Sequence, residues 1–373
     1  MSSRLPSRLL TAAMLLSRLG SARGRRRPQT LRRILVAHHL LLGDTLMLTP
    51  LLAKLRAGHP DSEIVLTLPG ACMPLYAGRP YGVTPVAYDP RDAGTIRRIA
   101  RRWPDGFDLA VVPGDNRWAW LARALGARWV VAHAGDRPAW KSWMVDEAIA
   151  YRAAPAAWGD MVADLADGPM PAAYRTADWP APAARDFDRP AGPYAVLHVG
   201  ASSPLKFWPA GNWRALAAHL SARGIEPVWS GGRGEERIVR EIDPDGRHRS
   251  YAGTLDLAQL WRLFGAAALA VSPDTGVAHL GRLAGVPTLT LFGPGSALIC
   301  GKGEFWRDAP YLAVTIDPFE CRDQTVLFRR DIAWVRRCGR GLDQCAQPRC
   351  MQALSPGLVL AQVDTLLAQA TGR

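Results

Sequence analysis

Short runs of consecutive apolar residues alternate along this chain with longer stretches whose apolar positions return every three or four residues, the pattern of buried parallel strands joined by helices. Ile34-Leu35-Val36-Ala37 predicts a first strand, Thr45 to Ala57 a helical stretch, and Ile64-Val65-Leu66-Thr67-Leu68 a second strand, which makes a β-α-β unit. Pro50 sits awkwardly within that helix. Either it kinks a helix that begins near Asp44, or Thr49 caps a helix that holds Pro50 in its first turn. Leu109 to Val112, the helical Trp118 to Leu125 and Trp129 to Ala132 continue the alternation.

Periodicity then fades between Gly168 and Pro193 into Pro, Ala and single charges, as in Trp179-Pro180-Ala181-Pro182-Ala183, which predicts a linker. A second series starts with Tyr194 to Val199. It continues through a helix from Ala210 to Arg223 closed by Gly224, a strand at Pro227 to Ser230 and a helix from Glu235. The expected organisation is a leader at 1–30, an α/β domain at 31–170, a linker at 171–193, a second α/β domain at 194–355, and a terminal helix at 356–373. Both domains read as doubly wound sheets, which bind ligands at the carboxyl ends of their strands.

The clearest local signal runs from Ala266 through Asp274-Thr275-Gly276-Val277-Ala278-His279-Leu280 to Leu291-Phe292-Gly293-Pro294. It predicts a buried strand, a tight polar turn, a helix stopped by Gly285 and Pro287, and another strand. Asp274 or Thr275 is placed to cap the helix, and Gly276 lets a ligand approach the backbone. Free amides at such a helix start, aided by the helix dipole, attract a diphosphate.

Composition narrows the class. With 48% apolar and 21% charged residues over 373 positions, the chain is a globular protein of about two domains, neither disordered nor membrane-spanning. The formal net charge of +13 suits an anionic membrane surface, a phosphorylated substrate or nucleic acid. Much of the excess lies in residues 1–33, where Arg4, Arg8, Arg18, Arg23, Arg25, Arg26, Arg27, Arg32 and Arg33 meet no acid. Leu9, Leu10, Met14, Leu15, Leu16 and Leu19 fit one side of a short amphipathic helix, and Arg18 interrupts any run long enough for a secretory core or a membrane span. A disordered basic tail and a membrane-surface helix both remain open for this segment. Of six cysteines, Cys321, Cys338, Cys345 and Cys350 gather near the end without paired C-x-x-C spacing, so reduced thiols and a cytoplasmic location are expected ahead of zinc or disulfides.

Four loops that follow strands in one sense carry the candidate chemistry: His38 to Thr45, Gly200 to Pro209, Ser230 to Glu236, and Asp274 to Gly276. They put a carboxylate, Asp44, in the first domain and a lysine, hydroxyls, glycines and a helix start in the second. That division suits group transfer from a nucleotide donor. Asp44 is placed to take the proton of an attacking hydroxyl, although a helix cap after Gly43 is the simpler use of such a residue. Lys206 offers a point cation to a departing diphosphate, and Ser202 or Ser203 a further hydrogen bond. His279, alone on an apolar helix, reads first as a hydrogen-bonded core residue. Gly231-Gly232-Arg233-Gly234 lacks dinucleotide-fingerprint spacing.

Taken together, these motifs resemble glycosyltransferase family 9, the ADP-heptose:lipopolysaccharide heptosyltransferases and their relatives, over roughly residues 31 to 370. The resemblance implies a GT-B architecture of two Rossmann-like domains facing each other across a cleft. It also implies metal-independent inversion with no cofactor, a nucleotide-sugar donor such as ADP-heptose, and a lipid-linked saccharide as acceptor at the cytoplasmic face of the inner membrane. By position, Asp44 matches the family's catalytic aspartate and Lys206 its phosphate-facing lysine. Ser202, Ser203, Gly231, Gly232, Asp274, Thr275, Gly276 and His279 fall on the donor side, and His38, His39 and Gly43 on the acceptor side. Ser272-Pro273 stands where Asn is commoner before the aspartate, and His38 and His39 where relatives often carry an arginine or a small polar residue. The terminal helix of a GT-B protein would cross back to the first domain, and the basic leader fits peripheral contact with the membrane. A nucleotide-sugar epimerase on the same architecture would need groups at a sugar ring carbon instead of a base at Asp44. A nucleic-acid-binding module would need more than an arginine-rich leader, and no aromatic-basic recognition motif follows it.

Overall fold

The computed structural model describes residues 3–17 and 26–371. Two compact units divide the chain: Met1–Ala172 with Val326–Trp334, and Ala173–Thr325 with Val335–Arg373.

In the first unit six strands, β1 (Arg33–Val36), β2 (Glu63–Leu68), β3 (Thr84–Ala87), β4 (Phe107–Val112), β5 (Ala127–His133) and β6 (Glu147–Ile149), form one sheet in the order β3-β2-β1-β4-β5-β6. Every pairing is parallel. The helices are α1 (Leu5–Leu16), α2 (Leu42–Leu46), α3 (Thr49–Gly58), α4 (Ala93–Arg102), α5 (Trp118–Ala124) and α6 (Trp158–Ala163). Ile34, Leu35, Val36, Val65, Ala110 and Val112 have no exposed surface, because a parallel sheet is covered on both faces. Leu35, Val65 and Ala110 share their cluster with Ile96, Ile99, Trp103 and Leu121 from the covering helices and loops. Each of the Leu, Ile and Val side chains contributes roughly 1.5–3 kcal/mol by leaving water. Pro50 follows the second arrangement in part: α2 ends at Leu46 and α3 begins at Thr49 with the proline in its first turn, where no amide is needed, but the cap position is Leu48 and Thr49 is already helical.

Part of the leader is helical. Helix α1 packs on α4 and α5, with Leu10 and Met14 against the core. The expected apolar side is divided, since Leu9 and Leu16 point outward with 62% and 69% of their surface exposed. Arg18, Leu19, Arg23 and Arg25 lie outside the described residues.

The second unit has five parallel strands, β7 (Tyr194–His198), β8 (Glu226–Ser230), β9 (Leu269–Pro273), β10 (Thr288–Phe292) and β11 (Tyr311–Thr315), in the order β11-β10-β9-β7-β8. Around them lie α7 (Ala210–Ser221), α8 (Glu236–Ile242), α9 (Leu257–Gly265), α10 (Gly276–Leu283), α11 (Ala297–Cys300), α12 (Arg349–Gln352) and α13 (Pro356–Thr371). The strand expected from Ala266 starts three residues later, because Ala266 closes α9. The Pro-rich stretch before β7 is irregular yet anchored: Tyr174 packs at a tilt against Trp306 and donates to the Leu283 carbonyl, and Trp179 is buried beside Trp261.

The terminal helix does not cross back as expected. Val359, Val363 and Leu366 bury it in the core of the second unit, against α7, β10 and β11. The segment that rejoins the first unit is a hairpin of β12 (Val326–Leu327) and β13 (Arg330–Asp331).

Candidate functional site

Strand order reverses between β1 and β4 in one sheet and between β7 and β9 in the other. Chains leave such neighbours toward opposite faces of the sheet, which opens a crevice at their carboxyl ends where ligands bind. The candidate loops emerge at these two places: His38–Thr45 after β1, Gly200–Pro209 after β7, and Asp274–Gly276 after β9.

In the second unit, the loop after β7 is fixed by Trp208, which is buried edge-on against Trp213 and donates to the Leu354 carbonyl. Ser203 Oγ accepts from the Leu205 amide at 3.3 Å and opens a tight turn that ends at Lys206. The Lys206 Nζ then donates to Asp274 Oδ2 at 2.8 Å and to the Asp274 carbonyl at 2.7 Å. Two residues expected to meet a donor separately are therefore one ion pair, with 23% and 10% of their side chains exposed. Gly295 has no side chain because the Asp274 carboxylate fills that space.

Thr275 precedes α10 in an extended conformation and its hydroxyl caps nothing, which leaves it available to a ligand. Its carbonyl accepts from the Ala278 amide at 3.1 Å. The earlier amides, at Gly276 and Val277, lie outside the internal ladder of the helix and add to its positive end. Ser202 is exposed and Ser203 is committed to its turn.

His279 is buried and its Nδ1 lies 2.6 Å from Arg282 Nη2. Arginine only donates, so Nδ1 is the acceptor and the ring is neutral with its proton on Nε2. Burial holds its pKa well below the usual histidine value, and Arg282 and Lys206 push the same way. Arg282 also donates to the Gly301 carbonyl at 2.6 Å and lies over Trp306 and Tyr311. Sequence reasoning passed over Arg282; its i+3 spacing from His279 is the signal that marks it. Gly231 and Gly232 lie beside Glu235, whose carboxylate accepts from the Gly232 amide at 2.5 Å and occupies the space a side chain at Gly200 would need.

In the first unit, Asp44 is partly exposed in the first turn of α2, just after Gly43, where the helix end favours a carboxylate. The capping position is Leu41, so Asp44 is not the cap. Thr45 and Thr49 direct their hydroxyls to the carbonyls of Leu40 and Leu46. His38 is fully buried, its ring accepting from the Leu40 amide and its own amide donating to Thr67 Oγ1. Burial, helped by His39, lowers its pKa to about 3, so it braces the loop as a neutral ring. His39 is the member of the pair with exposed surface, beside the rings of Tyr88 and Trp118. Among the described residues no three His, Cys, Asp or Glu side chains form a metal-holding group.

Two Rossmann-like units, each with its ligand-seeking loops at a reversal of strand order, are those of a GT-B glycosyltransferase. The family described as glycosyltransferase family 9 (heptosyltransferase) matches residues 96–302, more than half of the chain, and the chain belongs to it. It is 27% identical over 291 residues to lipopolysaccharide heptosyltransferase 1 of Pseudomonas aeruginosa, covering 74% of this chain and 78% of that one. The fold is also that of a family 9 glycosyltransferase from Veillonella parvula, with a TM-score of 0.68, 17% identity, and 91% and 98% of the two chains covered. ADP-heptose lipopolysaccharide heptosyltransferase II of E. coli gives 0.66, 18%, and 91% and 99%.

Proposed function

We propose that this chain is an inverting, metal-independent heptosyltransferase that moves a heptose from ADP-heptose onto a lipopolysaccharide core or related lipid-linked saccharide. The observation that carries the reading is the family match over 96–302, which takes in the Lys206 loop and the start of α10. In this reading the second unit holds the donor and the first the acceptor. Asp44 takes the acceptor hydroxyl proton as that oxygen attacks the anomeric carbon, and the electron pair of the breaking bond passes to the diphosphate. Lys206, exchanging Asp274 for a phosphate oxygen, and the amides at the start of α10 stabilise the charge that builds there. Neutral His279, Ser202 and the Gly231-Gly232 turn complete the donor side, with His39 and Gly43 on the acceptor side.

In this reading the reaction takes place at the cytoplasmic face of the inner membrane. Outward-facing Leu5, Leu9 and Leu16 on α1, exposed Trp143 and the net charge of +13 support peripheral contact there. No described helix is long and apolar enough to cross a membrane. The test is incubation with ADP-heptose and lipid A carrying its inner acidic sugars, with chelator present. ADP release together with an acceptor heavier by one heptose is expected; no mass gain on any lipid-linked acceptor refutes the proposal.

A further inference from the structure

A cavity of about 560 Å³ lies in the first unit between α1 and the loops that follow β3, β4 and β5. Its volume falls in the ~300–1,000 Å³ range of small-ligand pockets. Trp118, Trp120 and Trp140 give it a broad aromatic wall, tied together by the Trp120 indole donating to the Trp140 carbonyl at 3.1 Å.

The cations around it fall into two sets. Lys141 is held by Asp115 and Asp136 at 3.0 and 3.2 Å, and Arg117 by Asp115 at 2.8 Å, so their charges are matched within the protein. Arg4, Arg8 and Arg329 also line the cavity, and none forms an ion pair among the described residues. Arg4 and Arg8 come from α1 and the residue just before it. Arg329 comes from the β12–β13 turn, where Phe328 and Arg329 have φ of 45° and 63°. Such a turn normally calls for Asn or Gly. Here buried Arg330 and the tilted ring contact of Phe328 with Trp158 hold the strained turn, and with it Arg329. Ser7 is also part of the lining, 4% exposed, with an Oγ that has no partner.

Unmatched arginines, an unpartnered hydroxyl and an aromatic wall in one concavity call for a ligand that is anionic, hydrogen-bonding and flat-faced. We propose that this cavity binds a phosphate-bearing sugar of an anionic saccharide, with Arg4, Arg8 and Arg329 on the phosphate and the tryptophans against the ring. The inference rests on the acceptor being the lipid-linked saccharide proposed above, and it adds that α1 forms part of the binding wall.

The probe is the deacylated, bisphosphorylated glucosamine disaccharide, titrated into the full-length protein with tryptophan fluorescence as readout. Saturable quenching is expected, with affinity falling at least about tenfold in Arg4→Ala/Arg8→Ala, as lost charge-assisted bonds imply. Arg329→Gln should weaken it in the same direction from the other side of the cavity, which covers the case in which the double variant loosens α1. Unchanged affinity in both variants overturns the proposal. So does equal binding of the disaccharide without phosphates, or displacement of the probe by phosphatidylglycerol vesicles, which would mark a lipid-headgroup site. ADP affinity, measured in parallel, should stay unchanged. If no acceptor gains heptose yet the phosphorylated disaccharide still binds through these arginines, the functional reading fails and this one stands.

Discussion

Arg330 offers the sharpest test of how the first unit is held together. Its guanidinium, 2% exposed, donates to the carbonyls of Gly114 at 2.7 Å, Ala134 at 2.8 Å and His133 at 3.1 Å, and to Asn116 Oδ1 at 2.6 Å. It lies 3.7 Å from Asp136. In Arg330→Met the Asp136 charge is not abandoned, because Lys141 and the Asn116 amide still reach it, and the His133 carbonyl keeps the Asn116 side chain. The loss is therefore set by four acceptors, Gly114 O and Asn116 Oδ1, which are buried, and Ala134 O and Phe328 O, which are partly buried. At roughly 1–3 kcal/mol for each unmet group, and allowing for some water entry, the unit should lose about 3–5 kcal/mol. For a unit of this size that corresponds to a fall of roughly 6–20 °C in its melting temperature. Thermal unfolding of the full chain followed by tryptophan emission reads it directly, and Arg330→Lys, which keeps the charge but not the fork, should fall between. A decrease under about 1 kcal/mol for Arg330→Met would refute the view that this side chain pins the hairpin to the sheet.

Asp44→Asn should keep ADP affinity and lose transfer by at least about a hundredfold, the scale of a missing general base, and single-turnover product formation checks it; an equal loss of ADP binding would make Asp44 structural. Lys206→Ala should weaken ADP binding and slow transfer together, since the lysine meets the diphosphate before and after bond breaking, and an unaltered rate would reject that role. Acid should destabilise the first unit. His38 and His133 have pKa values lowered by burial to about 3 and about 4, so in that window the unfolded chain binds protons that the folded one does not. Stability then falls as pH drops from about 6.5 to 4, by roughly 1.4 kcal/mol per pH unit for each ring, and urea midpoints that stay flat between pH 7 and pH 5 would contradict it. Gly295→Ala should displace the Asp274 carboxylate and alter ADP affinity while leaving the circular dichroism of the chain intact; unaltered ADP affinity would show that Asp274 has room to move.

What the sequence made legible follows the range of the forces involved. Strands such as Ile34–Val36 and Val130–Ala132 are unbroken apolar runs because a parallel sheet buries both faces, and that requirement is written locally. So is the turn at Asp274–Gly276, where strand end, polar turn and helix start are contiguous. Helix α9 carried an equally local sign, the Asp256 and Gln259 capping box, which the reading by apolar period passed over. The short strands β3 and β6 gave too few residues for a period. Partnerships made across the chain were a different matter. That Lys206 spends its charge on Asp274, 68 residues away, depends on two loops leaving adjacent strands, and strand order is not a local property. Arg330 is the extreme case, an arginine in a basic stretch whose partners lie about two hundred residues earlier. Its neighbour Arg329 shows why such contacts bear on function. A turn with φ positive at two bulky residues does not persist by local preference, so the long-range anchor at Arg330 is what turns the hairpin into a support for a cation at the cavity.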